Sequence, residues 1–455
     1  MSEGATLASL EAALKIDYKG PITNRLNNST VYFRQLEKTS DYIQVSGQGL
    51  KAVFPIVTGE NESPGWRAEN APLPPAGQVS SLQLESALKY LYASIRITGQ
   101  TLKASAKSAT RFAEVVQMEI DSVTKAMRSE VGIQLHSPAA GWLCQTNGAG
   151  AGSDATVNVD NPGTIWLRRR AKIETRAYSV SNGVGTISDA VADSDISEGL
   201  TASTAHAVNT IAKDKKSFEL MDYNGDEITT EKWADDRYVF RYGTPITGTS
   251  PCSMLGLFDI MDDYTIQSSS SWFDLQNCLV TIQGKSRSTY ANSLNALVSH
   301  NDGTLRPLTE DVLQEGLDLA LEETGDEEHT GQMLLMDYNM RRKFMRMLRS
   351  DRNFSPNYLE LRGGHKVLAY HAGNAQIPIV GDRFCIPNTI MIPNVNYINI
   401  HRAGDFDWLD KMGSMWEKAS DASGRYDAYL ADMYYYCEQG CKSFRDQVAI
   451  RDIAT

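Results

Sequence analysis

"GENESPGWRAENAPLPPAGQ", from Gly59 to Gln78, separates two stretches that alternate as β-strands do. Two to five residues suffice to connect a hairpin, yet this segment has twenty. It carries four prolines, three glycines and no lysine, and it places Trp66 where solvent should be. Before it, Leu50, Ala52, Phe54 and Ile56 of "LKAVFPIV" share one face. Pro55 lacks a backbone donor, which predicts an edge strand. After it, Leu82, Leu84, Leu88, Tyr90 and Tyr92 share a face. From Leu91 the apolar set moves to Ala93, Ile95 and Ile97. A one-residue slip of this kind predicts a bulge or a bend into a different environment. The strands and loop make a very long hairpin, and a hairpin alone is marginal in water, so it should lie against another surface.

The rest of the chain offers material for that surface. Its 455 residues set a soft prior of about three domains. The apolar and charged fractions, 42% and 22%, are those of an ordinary globular protein. With 44 basic and 56 acidic residues the net charge is −12, against the basic excess of a nucleic-acid-binding module. The six cysteines (144, 252, 278, 385, 437, 441) form no regular framework and read as free, mostly buried thiols in a reducing compartment. The N-terminus carries acids and lacks a basic start followed by an apolar core, so it does not read as a secretory signal. No apolar run reaches the length of a membrane span.

Residues 1–46 mix a short helical pattern (Leu7, Leu10, Leu14) with polar turns and read as an arm lying on something else. Residues 47–99 are the hairpin. Residues 101–136 predict the longest helix, because Phe112, Val115, Val116, Ile120, Val123, Met127 and Val131 step by three and four. That length exceeds the usual three to four turns. The Gly- and Asn-rich stretch 145–163 follows as a linker or mobile loop. Short β-runs from about 164 to 250 predict a small all-β insert. Residues 251–455 mix helix and strand. Thr309 is a plausible N-cap and Gly325 the end of one helix; Met333–Met336 is a strand leading into another helix. Further strands are expected at 366–370, 377–380, 390–400 and in "QVAIRDI".

No phosphate-loop, dinucleotide, nucleophile-elbow or zinc-protease motif occurs. "GAGAG" at 148–152 has the wrong spacing for a phosphate loop, and "DYNGDEITTE" (222–231) fails the EF-hand spacing and reads as a turn on Asn224-Gly225. Cys437 and Cys441 read as two apolar thiols on a buried helix face, since zinc would need two more ligands. The seven histidines are dispersed. Two basic clusters stand out: Arg168, Arg169 and Arg170, and the helical set Arg341, Arg342, Lys343, Arg346 and Arg349 opposite Met340, Phe344 and Met347. Either could touch phosphate or pair with acids of the same or a neighbouring subunit.

The order of pieces, an arm, a two-stranded excursion with a long loop, an overlong helix, a β-rich region and an α/β region, resembles the tailed-bacteriophage major capsid proteins (the Hong Kong ninety-seven fold). Gly65-Trp66-Arg67-Ala68-Glu69 looks like that family's aromatic-then-Glu E-loop tip. "SIRITGQTLKAS" sits at the entry to its spine helix, and "SMLGLFDI" (253–260) is similar to its turn ahead of the A-domain. "LTEDVLQEGLDLAL" followed by "MLLMDYNMRRKFMRML" resembles its helix, strand and helix. The resemblance covers about residues 30–455 and implies an α+β fold: N-arm (1–46), E-loop (47–99), spine helix and linker of the P-domain (100–154), an inserted β-rich domain (155–250), and an A-domain with returning P-domain strands (251–455). It implies a non-enzymatic subunit without cofactor, catalytic residue or metal. Copies would form hexamers and pentamers of an icosahedral-type shell around double-stranded DNA held without sequence specificity, in a virion assembled in the host cytoplasm, away from membranes. Its implied partners are identical subunits, a portal, a decoration protein and a scaffolding protein. No long helical segment precedes the arm, which implies that scaffolding is separate or that a propeptide has been removed. The implied inter-subunit contacts are Trp66, Arg67, Glu69, Pro72 and Leu73 of the loop and Tyr32 and Phe33 of the arm, with Arg341, Arg342, Arg346 and Arg349 facing DNA or in salt bridges. An encapsulin-like nanocompartment subunit and a soluble enzyme with a β-insert are the alternative readings.

Some members of that family join an E-loop Lys covalently to a neighbour's Asn, but no Lys lies between Lys51 and Lys89 here. Denaturing gels of assembled particles are therefore expected to show one monomer band; a ladder of covalent oligomers would overturn this.

Overall fold

A computed structural model describes residues 30–46, 49–59, 61, 63–69, 72–100, 109–147, 156–160, 162–176, 178–181, 184–187, 206–222, 237–242, 253–266, 279–324, 331–350, 358–361, 365–372, 375–409, 416–421 and 424–454. The Leu7–Leu14 pattern, "GAGAG", the Asn224-Gly225 turn, Cys252, Cys278 and Gly325 lie outside them.

The longest strand, Gly424–Cys441, has 18 residues. From Ala431 onward, every second side chain (Met433, Tyr435, Cys437, Gln439, Cys441) is buried, as the period-two geometry of a strand requires. One edge pairs antiparallel with Lys89–Thr98 over ten residues, from Ala428 opposite Thr98 to Cys437 opposite Lys89. The other edge takes Ile398–Arg402, Asp407–Trp408 and Glu417–Asp421 in turn. Glu37–Thr39 then adds to Ile398–Arg402 in parallel. Cys437 and Cys441 thus share a strand face and not a helix face. Burial raises both thiols, as it does Cys144 and Cys385, well above the ordinary range.

A seven-stranded mixed sheet forms the α/β region, in the order Leu297–Ser299, Val448–Ile450, Ile390–Ile392, Leu334–Met336, Ala375–Gly381, His365–Ala372, Tyr358–Leu361. Its central strands are buried on both faces. Leu334, Met336, Ile390, Ile392, Val448 and Ile450 pack against Leu313 and Leu317 of the helix Glu310–Thr324 and against Met340 and Phe344 of the helix Tyr338–Ser350. Leu335, Met391 and Ala449 point into the main core. Thr309 does cap the first helix, its Oγ1 accepting from the Val312 N–H at 3.3 Å. Asp337 caps the second, accepting from Met340 N–H at 2.8 Å and Asn339 N–H at 3.2 Å. Residues 390–400 are two strands in different sheets, because the chain turns between Ile392 and Ile398.

The long helix runs Ala109–Gln134, 26 residues, or roughly 39 Å at 1.5 Å per residue. Ile120, Met127 and Val131 are buried as their spacing predicts. Beyond it, six strands form the sheet Cys144–Gln145, Tyr238–Arg241, Lys172–Arg176, His206–Ile211, Ser217–Asp222, Thr156–Asn158. The β region therefore starts before residue 155. It also shares a core with the rest of the chain. Trp142 packs on Trp166, Tyr238 and Phe258 at ring distances of 5.8, 5.8 and 5.4 Å, and Trp166 Nε1 donates to the Phe384 carbonyl at 3.1 Å.

Tyr32 and Phe33, expected at an inter-subunit surface, are fully buried in this chain. Thr30 Oγ1 caps their short helix, Val31–Gln35, by accepting from Phe33 N–H at 3.1 Å. Gln439 donates to the Tyr32 hydroxyl at 3.0 Å. Tyr32, Phe33 and Leu36 of the arm thus belong to this chain's core.

The turn Ser253–Asp262 is inserted between the long helix and the 18-residue strand. A Cβ on Gly256 would collide with the Ser137 carbonyl and lie 2.8 Å from that of Gln134, so only glycine fits. Two buried carboxyls fasten it. Asp259 accepts from the Ala139 N–H at 2.7 Å, and Glu438 accepts from the Leu255 N–H at 2.7 Å and the Gln439 N–H at 3.1 Å. Burial pushes Asp259 up to about 7 and Glu438 up to about 8, the latter against the pull of Lys89. A carboxyl raised on folding adds stability below its unfolded pKa and loses it as pH rises through the folded value. Glu438→Gln keeps an acceptor for both donors. Its melting temperature relative to wild type should therefore climb between about pH 5 and pH 8 and level off above; a pH-independent difference would refute the assignment.

Candidate functional site

The hairpin of Gly49–Gly59 and Ser80–Ala87 is paired from Lys51 opposite Ala87 to Gly59 opposite Ser80. Ala52, Phe54, Ile56, Leu82, Leu84 and Ser86 form its buried face. Phe54 stacks on His401 at 5.1 Å, and burial, followed by the Lys442 charge, pushes that imidazole down to about 4 and keeps it neutral. Glu85 N–H donates to the Gln283 carbonyl at 3.0 Å. Gln283 and Gly284, both with positive φ, form the tight turn between Thr281–Ile282 and Lys285–Ser286 that meets the hairpin there. The surface against which the hairpin root lies is thus supplied by its own chain. Ile43–Ser46 pairs with the root only as far as Ala52, which leaves that edge open at Pro55, where no donor is available.

The strand changes sheets at Leu88. Up to Ala87 it pairs in the hairpin; from Lys89 it pairs with Gly424–Cys441. This is the physical origin of the slip in the apolar pattern: Leu82 and Leu84 are buried on the even face, Ile95 and Ile97 on the odd one. The even positions then become exposed. Tyr90 and Tyr92, at 48% and 54% exposure, meet Tyr436 edge-on with ring centroids 4.8 and 5.8 Å away, and Tyr434 adds to the patch at 4.8 Å from Tyr436. The Tyr92 and Tyr436 hydroxyls lie 3.0 Å apart. The spacing alone put Tyr90 and Tyr92 on the face of Leu82 and Leu84, whereas the sheet change exposes them; the alternation of Tyr434 and Tyr436 with buried Met433, Tyr435 and Cys437 was the available signal for the patch.

Beyond Gly59 and Ser80 the chain leaves its own body. Trp66, Arg67, Glu69, Pro72 and Leu73 are all exposed, Trp66 at 103% and Leu73 at 88%. Solvent-facing Val57 and Val79 extend the apolar surface to the hairpin end. Among the described residues the base is closed by Asn61, whose Nδ2 donates to the Gly77 carbonyl at 3.1 Å while its Oδ1 accepts from the Ser63 N–H at 2.9 Å. The expected loop contacts therefore sit together on one projection, with Tyr32 and Phe33 elsewhere.

The helical arginines Arg341, Arg342 and Arg346 are exposed, while the Arg349 side chain lies outside the description. Arg341 lies over Tyr338, Arg342 bonds Asn339, and Lys343 donates to the Ala454 carbonyl at 2.6 Å. Of the other basic cluster, Arg169 donates to the Asn209 carbonyl at 3.1 Å, whereas Arg168 turns toward the long helix and reaches Glu130 at 2.9 Å. Among the described residues no group of three or more His, Cys, Asp or Glu could hold a metal ion, and no helix is long and apolar enough to cross a membrane.

The loop base can be tested through its glycines. A Cβ on Gly77 would collide with Asn61 Oδ1 and lie 2.9 Å from the Ser63 nitrogen, whereas one on Gly65 meets nothing within 4 Å. Gly77→Ala should speed proteolysis within 60–79 with little change in melting temperature, and Gly65→Ala should leave both unchanged. Equal proteolysis of the two variants would disprove the closure.

No protein-family model matches the sequence, and no curated protein matches it. Solved structures do. The chain is similar to a subunit in the cyanophage A-1(L) capsid asymmetric unit, with 12% identity and a TM-score of 0.46 over 95% of this chain and 93% of that one. It is similar to the capsid subunit of a native GTA particle, with 10% identity and a TM-score of 0.40 over 93% and 90%. Mycobacterium phage Adephagia provides a third, with 10% identity and a TM-score of 0.38 over 100% and 96%. The first two of these solved structures are capsids.

Proposed function

We propose that the chain is a tailed-phage major capsid protein, a shell-forming subunit whose projecting loop docks on a neighbouring copy. The observation that carries this reading is the loop itself: a hairpin whose root is buried in its own core holds Trp66 and Leu73 out at 103% and 88% exposure. Apolar surface gains about 25 cal/mol per Å² when covered, before association costs. A Trp kept fully in water on a braced projection is suited to anchor in a pocket. Contact of a projecting tip with a different surface of the next copy is heterologous, and heterologous contacts form rings when the rotation between copies closes. Hexamers and pentamers of a closed shell are such rings. The prolines flanking Leu73 limit the entropy lost on docking, and without lysine the loop holds its neighbour noncovalently. The exposed tyrosines around Tyr436 supply a second surface of the kind enriched at interfaces. Double-stranded DNA is the proposed content, with identical subunits, a scaffolding protein, a portal and a decoration protein as partners, in a virion assembled in the host cytoplasm.

Deleting residues 60–77 should leave a chain that melts cooperatively, as the root stays buried, but that yields no closed particles by negative-stain microscopy. Normal particles from the deletion would sink the proposal. Wild-type particles should contain double-stranded DNA; an enclosed enzyme would favour the nanocompartment reading instead.

A further inference from the structure

A concentration of positive charge in this acidic chain lies away from the loop. A cleft of about 670 Å³ opens between the long helix, the segment that follows Gly163 and the end of the strand Ala375–Gly381. Lys125, Arg128, Arg168 and Arg383 line it, against one lining acid, Asp382. Asp382 is already engaged, accepting from the Phe384 N–H at 3.0 Å. Lys125, Arg128 and Ser129 stand three and four residues apart on one helix face. The two arginines from elsewhere in the chain reach the same turn. Arg168 donates to the Ala126 carbonyl at 2.9 Å and to Glu130, and Arg383 donates to Ser129 Oγ at 3.0 Å while lying 4.3 Å over the Phe384 ring.

Behind lining residue Arg168, buried Glu130 is shared by Arg168 and Arg241, two guanidinium groups for one carboxylate. Burial first, and then the nearby charge of Arg241, push Arg168 down to about 10. Four cations therefore line the cleft with one acid, and holding cations together costs free energy that an anion would relieve. Guanidinium groups match the geometry of phosphate oxygens. The volume lies in the range of small-molecule sites, which suits a phosphodiester or polyphosphate more than a single small ion.

The geometry points to an oxyanion site in this cleft that takes phosphoryl groups, with Lys125, Arg128, Arg168 and Arg383 as its cations. It rests on the cleft alone and is independent of the loop-docking reading. Nucleic-acid backbone and free polyphosphate share the chemistry.

The test is calorimetric titration of the full chain with tripolyphosphate. Lys125→Ala with Arg383→Ala removes two exposed cations and leaves the Arg168–Glu130 pair intact. Lys213→Ala with Lys216→Ala removes the same charge from an exposed turn that does not line the cleft. Binding should weaken with salt and fall on the order of tenfold or more in the cleft variant, against less than about twofold in the control. Competition by a short DNA duplex would identify nucleic-acid backbone as the source; absence of competition, with tripolyphosphate still bound, would identify free polyphosphate. No binding, or equal loss in both variants, would overturn the site. Displacement by polyglutamate as effective as by tripolyphosphate would overturn the phosphoryl assignment in favour of a protein carboxylate partner.

Discussion

Ten residues of Lys89–Thr98 pair with the strand Gly424–Cys441, and the rest of the structure depends on that pairing. Because the strand is long, one edge can hold Lys89–Thr98 while the other is divided among three shorter strands. The pairing ties the hairpin, and the helix that follows it, to the C-terminal part of the chain. It also decides the fate of every side chain nearby, because strand neighbours point to opposite faces. Met433, Tyr435 and Cys437 go inward, and the tyrosines between them go outward to join Tyr90 and Tyr92.

The sheet change at Leu88 follows from this arrangement. Up to Ala87 the even side chains seal the hairpin to the core, and from Lys89 the odd ones do. The root is thus held at two points, by Phe54 on His401 and by Glu85 on Gln283, and the loop beyond it is presented in solvent. A loop of this length on a freely jointed hairpin would sample many directions, at an entropic cost on docking. A braced root reduces the directions to be lost.

Charge is distributed as unevenly as apolar surface. The chain carries −12 overall, yet the cleft beside residues 125–129 is lined by four cations, one of which, Arg168, shares a buried carboxylate with Arg241. The buried acids Asp259 and Glu438 show the converse: desolvation raises them and backbone N–H groups hold them, so they act as hydrogen-bond acceptors that fix a turn.

Local chemistry was legible without coordinates. The three-and-four spacing of Ile120, Met127 and Val131 determined the long helix, Thr309 the cap of the helix Glu310–Thr324, and the even-to-odd slip at Leu91 the change of environment, because helix periodicity, capping and strand alternation act over a few residues. The unusual length of 59–78 and the exposed character of its tip were equally local. What only the tertiary structure decided was set by partners far apart in the chain. Tyr92 and Tyr436 are 344 residues apart, and Gln439 meets Tyr32 across 407. That pairing placed Tyr32 and Phe33 in the core, made Cys437 and Cys441 strand residues, merged the β region with the main core through Trp142, and brought Arg168 and Arg383 to one helical turn. A residue's own type and spacing state which face it shares. Whether that face meets protein or water depends on which distant strand arrives to cover it.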